Sequence, residues 1–154
     1  MTNVPAKLRE ARFFLRLLTS IEATGTPLVG NIHELRDEFG FVLSGFLNAC
    51  YAATELLKPL ARKDVEAFKK VHALVYGEGL RNVTVHERHI SPSLSRYISL
   101  GEAGASTTAQ SAPTLRFEYY FDPVGTPVHV TSLCESHYQA LLTLAAGFNV
   151  QPDA

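Results

Sequence analysis

The chain has no long hydrophobic run and very few cysteines. From Met1 to Ala11 it lacks the apolar stretch and small-residue cleavage pattern of a secretory signal, and no later run approaches the length that crosses a bilayer. A cytoplasmic location without membrane attachment is therefore expected. Cys50 and Cys134 lie far apart, each within an apolar helical pattern, so we expect buried thiols rather than a disulfide.

A large net charge of either sign is also missing. The formal net charge is −1, which argues against a strongly nucleic-acid-binding surface overall. The distribution is less even, because residues 58–96 carry eight basic and four acidic side chains, whereas residues 101–154 carry one basic and five acidic side chains. The basic region is compatible with a polyanionic substrate, although a solvated helix face has a similar composition.

Apolar periodicity predicts three helical segments in the first part of the chain. With 154 residues, of which 46% are hydrophobic, the chain is long enough for one core and a single domain. Asn31 and Glu34 have the spacing of a capping box at the start of the second helix. The predicted helices are residues 4–23, a long helix from Asn31 to Pro59, and a third from Ala61 or Arg62 towards Gly77.

Beyond Pro92 the pattern changes from helical to extended. Aromatic residues alternate with polar ones before a turn rich in proline and glycine, which is typical of a β-hairpin. Ser132 and Glu135 repeat the capping-box spacing before a last helix. The predicted elements are a strand at 96–100, a loop at 101–113, a hairpin with strands at 116–121 and 128–130, and a helix at 132–148.

Together these patterns predict a mainly α fold class. It is an up-down helical bundle with a small C-terminal antiparallel β-hairpin and a final helix as an α+β extension. Within one domain of residues 1–154, the helical core takes residues 4–92, the loop and hairpin take 93–131, and the last helix takes 132–148.

The residues with the most chemical potential lie in one short segment, Leu80-Arg81-Asn82-Val83-Thr84-Val85-His86. Arginine presents a planar fork of donors that suits phosphate oxygens, and histidine exchanges a proton near neutral pH. On a regular helix Arg81 and His86 would lie roughly 140° apart around the axis and about 7.5 Å apart along it. They do not share a face, whereas Asn82 and His86 do. Two copies of the segment across a two-fold axis would bring both pairs around one cleft suited to polyphosphate or RNA.

The order of these features resembles the HEPN superfamily (higher-eukaryote-and-prokaryote nucleotide-binding), in particular its bacterial members. The resemblance covers about residues 4–90 and rests on a long helical pair, which includes residues 39–49, followed by a helix that carries Leu80-Arg81-Asn82 with four residues between Arg81 and His86. It implies a HEPN-like bundle that forms a homodimer through the motif helices.

In active members of that superfamily the resemblance implies a metal-independent endoribonuclease that needs no cofactor. Arg81 would then hold the scissile phosphate, His86 would act as general base or acid on the ribose 2′-hydroxyl, and Asn82 would orient His86 or the substrate. The products would carry a 2′,3′-cyclic phosphate or a phosphate end. The alternative is a non-catalytic module of the same fold that binds a nucleotide, RNA, or a protein partner such as an antitoxin.

Other interpretations of the same residues remain open. Arg81 pairing with Glu78 or Glu87 on a solvated surface, and His86 packing against a backbone carbonyl, would give the motif no chemistry. A zinc site from His86, His89, Cys134 and His137 is disfavoured, because the histidines are three rather than four apart and core packing already explains Cys134. The aromatic residues Phe117, Tyr119, Tyr120 and Phe121 fit packing on a helical core better than base stacking.

Overall fold

A computed structural model of the chain describes residues 3–29, 35–76, 79–80, 93–99, 114–121 and 126–153, with only the backbone of 93–99 and 114–117. These ranges contain three helices and one three-stranded antiparallel sheet, so the predicted mainly helical fold with a small antiparallel sheet is confirmed. The elements are α1 at Val4–Thr24, α2 at Leu35–Val71, β1 at Ser93–Ser99, β2 at Thr114–Phe121, β3 at Val128–His129 and α3 at Val130–Ala146.

The first helix begins and ends at residues suited to those positions. Pro5 lies in its first turn, where a missing N–H costs nothing, although the Asn3 side chain makes no capping hydrogen bond. At the other end Gly25 adopts the left-handed conformation, with φ of 62°, and its N–H donates to the Ile21 carbonyl at 2.8 Å. The predicted helix and most of its apolar stripe are confirmed; the buried members are Val4, Leu8, Ala11, Leu18 and Ile21.

The second helix contains a break that reverses the chain. Pro59 lies inside α2, and Ala61 leaves the helical region with φ −159° and ψ 65°. Proline has no N–H to donate and its ring crowds the preceding turn, which explains a break at this point. Beyond the break, Lys69 pairs with Glu55 and lies 4.3 Å above the centre of the Tyr51 ring.

That contact fixes how the two parts of α2 lie. In a straight helix, residues 51 and 69 would be about 27 Å apart along the axis. Because Lys69 touches Tyr51, the second arm, residues 62–71, folds back along the first arm, residues 35–60. The prediction that the long helix ends near Pro59 and a third begins near Ala61 thus holds in effect. The expected extension to Gly77 is wrong, because α2 ends at Val71 and turns follow at residues 72–75. The predicted start at Asn31 lies outside the described residues.

α1 and the first arm of α2 form an antiparallel hairpin. A Cβ added to Gly45 would lie 2.6 Å from the Phe14 ring, so glycine is what permits this close approach. Between the two helices, the Glu38 carboxylate accepts hydrogen bonds from the N–H groups of Leu28 and Val29. Since Glu38 is almost fully buried, these two donors hold the connection between the helices against the start of α2.

The last helix packs antiparallel to α1. Near one end, the Tyr138 hydroxyl donates to the Leu8 carbonyl at 3.1 Å, and near the other, His129 contacts Glu22. α3 begins at Val130, two residues before the predicted Ser132, so the capping box of Ser132 and Glu135 is not formed. The physical reason is that Ser132 already lies in the first turn and its hydroxyl is engaged with His129 at 2.7 Å.

The sheet has the order β1-β2-β3 and covers one side of the helices. β2 is the central strand, and β3 pairs with it over two residues only, Tyr120 with His129 and Phe121 with Val128. Tyr119 of β2 is fully buried and stacks on Phe39, with ring centroids 3.9 Å apart. The preference for packing over base stacking is therefore confirmed at Tyr119, while the Phe117 side chain lies outside the described residues.

Both cysteines are buried and free, as predicted. Burial raises the pKa of both thiols well above the ordinary range, so they are protonated and inert at neutral pH. By length and composition alone α2 also meets the criterion for a membrane-spanning helix, with a mean hydropathy of 1.2 over 18 residues. A core helix passes the same test, and 56% of that window is buried inside the protein.

Candidate functional site

The predicted site residues Arg81, Asn82 and His86 lie outside the described residues. What the structure does describe is the chain that leads to them, up to Leu80. The described residues around Leu80 show how the chain is held where the motif begins.

Leu80 is fixed in the core by a short series of turns after α2. The backbone carbonyl of His72 accepts from the N–H groups of Val75 at 3.0 Å and Tyr76 at 3.2 Å, and the Leu80 N–H donates to the Leu74 carbonyl at 2.8 Å. The Leu80 side chain has no exposed surface. The motif therefore starts directly after a residue whose backbone and side chain are both held.

Gly79 makes this turn possible. A Cβ at that position would lie 2.2 Å from the Leu74 carbonyl oxygen and 2.5 Å from that of Ala73. Both obstacles are backbone atoms, which cannot move aside as the end of a side chain can. Any larger residue at this position would force the backbone around Leu80 to move.

Beneath the turn lies a cluster of aromatic and imidazole rings, here called the His137 cluster. His137 has no exposed surface, and its Nε2 lies 2.9 Å from the Tyr76 hydroxyl. Phe68 and His72 complete the cluster, with ring centroids 5.5 Å and 5.1 Å from that of His137. The cluster thus joins α3, the second arm of α2 and the turn before Leu80.

The His137 cluster is uncharged at neutral pH. Burial, and secondarily the neighbouring His72, lower the pKa of His137 from its ordinary value of 6.5 to about 3. Burial also lowers the pKa of His72. Nδ1 of His137 is buried and has no hydrogen-bond partner among the described residues. A neutral, buried imidazole of this kind positions its neighbours and does not exchange protons with solvent.

A charged group borders the cluster on its outer side. The Lys69 ammonium lies 5.6 Å from the centre of the Tyr76 ring and pairs with Glu55. Glu55 also accepts from Lys58 at 2.8 Å. Partial burial acts to raise the pKa of Glu55, but the hydrogen bonds from Lys58 and Lys69 outweigh it and the pKa is lowered. Glu55 therefore stays ionised and holds both lysines at the fold in α2.

A second polar group, which the sequence did not indicate, joins α1 to the start of α3. His129 Nε2 lies 3.0 Å and 3.1 Å from the two carboxylate oxygens of Glu22, while Nδ1 lies 2.7 Å from the Ser132 hydroxyl. Glu22 also accepts from the Tyr119 N–H at 3.2 Å. Because a carboxylate can only accept, Nε2–H of His129 donates to Glu22, and in the tautomer whose one proton is on Nε2 the Ser132 hydroxyl donates to Nδ1. The order resembles an activated hydroxyl. Both Glu22 contacts tie the sheet to α1 and the Ser132 contact ties it to α3, so we interpret the group as structural.

A groove of about 520 Å³ lies between α1 and α3, here called the α1–α3 groove. Arg12, Arg16 and Thr19 line it from α1, and Glu135, Tyr138 and Gln139 line it from α3. Its arginines received no role in the sequence interpretation, because no local motif distinguishes them from a solvated helix face.

The zinc alternative gains no support from the described part of the chain. Those residues contain no group of three or more His, Cys, Asp and Glu side chains arranged to hold a metal ion. Of the four proposed ligands, His86 and His89 lie outside the described residues. Cys134 and His137 lie in the core, where burial disfavours the thiolate and His137 is committed to Tyr76.

Comparisons of the chain with protein-family models, with curated proteins and with solved structures gave no match. The resemblance to the HEPN superfamily is therefore a prediction that rests on the residues of the chain itself.

Proposed function

We propose that the chain is a HEPN-like protein that acts on RNA as a metal-independent endoribonuclease, with Arg81, Asn82 and His86 as its site. The observation that carries the proposal is the position of the motif, directly after a fully buried Leu80 in a turn where a Cβ at Gly79 would collide with backbone. Catalytic groups need a rigid support, and this turn supplies one.

The chemistry follows from the two side chains. His86 takes the proton of a ribose 2′-hydroxyl, the 2′-oxygen attacks the adjacent phosphorus, and the bond to the 5′-oxygen breaks. Arg81 binds the phosphate oxygens and stabilises the charge that builds up on them. The products are a 2′,3′-cyclic phosphate and a 5′-hydroxyl, which receives a proton as it leaves. No metal or cofactor takes part in this scheme.

The site is proposed to be completed by a second copy of the chain, as a homodimer. On one helix Arg81 and His86 point in directions roughly 140° apart, so one copy would supply the arginine and the other the histidine. Phe13 and Phe41 support a self-association surface, because they are 58% and 48% exposed in the single chain.

The test is cleavage of a mixed RNA pool in EDTA by the purified full chain. Arg81→Ala and His86→Ala are each expected to lower the rate by at least about 100-fold. Arg62→Ala is the matched control, because Arg62 is an exposed arginine paired with Glu66 on the second arm of α2. Cleavage retained by both site variants would overturn the assignment.

Mixing the two inactive variants tests the composite site. Exchange of subunits would pair an intact Arg81 from one copy with an intact His86 from the other, so cleavage should return in the mixture. If the mixture stays inactive while each variant remains dimeric, the two residues act within one chain. RNA binding that requires Arg81 without any cleavage would favour the non-catalytic module, with RNA, a nucleotide or an antitoxin-type protein as its partner.

A further inference from the structure

The α1–α3 groove has a basic edge that the motif does not explain. Arg9, Arg12 and Arg16 follow one another at helical spacing on α1, beside the groove. Arg16 is exposed and makes no hydrogen bond or ion pair with other described residues. Three guanidinium groups therefore face the same stretch of surface.

Two carboxylates of the described chain lie near this charge: Glu135 lines the groove from α3, and Asp153 pairs with Arg12 directly. Residues 150–153 lie along α1, where Arg9 donates to the Pro152 carbonyl at 2.5 Å and Arg12 donates to both Asp153 carboxylate oxygens, at 2.9 Å and 3.4 Å. Asp153 is thus held by the planar fork of Arg12. The fork binds a phosphate with the same geometry, since both acceptors offer two coplanar oxygens.

The Asp153 contact is weak enough to be exchanged. The Asp153 side chain is 69% exposed and that of Arg12 is 35% exposed, so solvent screens the pair. Next to it, the groove offers the guanidinium of Arg16, which pairs with no other described residue, and the exposed amide of Gln139. Leu15 gives it an apolar floor, and Glu135 adds one negative charge on the α3 side. Charged donors beside an apolar floor suit a nucleotide, with its phosphate on the arginines and the face of its base on the floor.

We propose that the α1–α3 groove binds a phosphodiester of the RNA strand, and that Asp153 occupies the phosphate position on Arg12 until the strand displaces it. The inference rests on the proposed action on RNA and adds a binding surface away from the motif. The acidic side chain competes with the phosphate for Arg12 and so lowers the affinity of the groove.

The test measures fluorescence anisotropy with a labelled single-stranded oligouridylate whose 2′-O-methyl groups prevent cleavage. At low salt, Asp153→Asn is expected to bind about three times more tightly, because it removes the competing charge. Arg16→Ala should bind roughly three to ten times more weakly and lower the slope of log affinity against log salt by about 0.7. Arg62→Ala is the control and should change neither quantity.

The result that would overturn the proposal is Arg16→Ala binding as wild type does, or Asp153→Asn binding no more tightly. Binding of anionic lipid vesicles through Arg16 without any RNA binding would also overturn it. Arg16, Asp153 and Arg62 are exposed, so loss of the fold is not expected, and thermal unfolding checks this. If cleavage requires Arg81 but Arg16→Ala leaves oligouridylate binding unchanged, the groove proposal is refuted and the ribonuclease proposal is not. Groove-dependent binding with no cleavage refutes the ribonuclease alone.

Discussion

The burial of His137 predicts that acid destabilises this protein in a specific way. His137 has no exposed surface and its pKa is lowered to about 3, against 6.5 for an exposed histidine. In the unfolded chain the imidazole takes up a proton as the pH falls below 6.5, whereas in the folded protein it stays neutral. The free energy of unfolding therefore has its full value above pH 6.5, as far as His137 is concerned. It falls progressively as the pH falls towards 3.

The size of the effect follows from the two pKa values. Lowering the pH from 7.5 to 5 should reduce the free energy of unfolding by about 2 kcal/mol through His137 alone, and at pH 4 the loss should be about 3 kcal/mol. Near pH 5 the unfolded chain binds almost one more proton than the folded protein through His137. The free energy of unfolding then changes by about 1.4 kcal/mol per pH unit. For a domain of this size such losses are a large share of the total stability.

The assay is urea unfolding followed by circular dichroism at several pH values from 7.5 to 5, on wild type and His137→Gln. Glutamine does not titrate and retains a polar group near Tyr76, so this variant should lose about 2 kcal/mol less than wild type over the range. His72→Gln is the comparison, since His72 is only half-buried and should contribute less. Equal pH dependence in wild type and His137→Gln would refute the reasoning.

Two further substitutions test the turns that hold the helices and the motif. Glu38→Ala should lower the free energy of unfolding by about 3 kcal/mol, because two N–H groups lose a charged acceptor, and Glu38→Gln should lower it less. Urea unfolding measures both variants. An unchanged free energy of unfolding in Glu38→Ala would contradict the role of the carboxylate. Gly79→Ala should cost about 1–3 kcal/mol because its Cβ meets the Leu74 carbonyl, and hydrogen exchange at Leu80 should quicken. Unchanged stability with unchanged exchange would show that the backbone yields freely there.

Local patterns predicted the helices well because the apolar stripes record which face is buried. The stripe from Leu8 to Ile21 gave α1 within one residue at its end, and Pro59 marked the break in α2 to within two residues. An apolar stripe does not indicate the direction in which the next helical segment packs. The reversal at Ala61 depends on contacts such as Lys69 with Tyr51, and no local pattern encodes them.

The polar contacts around the candidate site could not be predicted from the sequence, for a related reason. Tyr76 and His137 are 61 positions apart, and Glu22 and His129 are 107 apart, so their pairing exists only after the helices have packed. In the sequence His129 is an isolated residue, and His137 lies three positions after Cys134, which raised only a disfavoured zinc site. Neither position carries a local pattern that names its hydrogen-bond partner.

The last helix links the two proposed binding regions. One face of α3 carries His137, which holds the turn before Arg81 through Tyr76, and the adjacent face carries Tyr138 and Gln139, which line the α1–α3 groove. A strand bound in the groove after displacing Asp153, and a phosphate bound at the motif, would therefore both be positioned by α3. Under this arrangement Arg16 contributes equally to the ground state and the transition state, so its loss raises KM and leaves kcat unchanged, whereas loss of Arg81 lowers kcat.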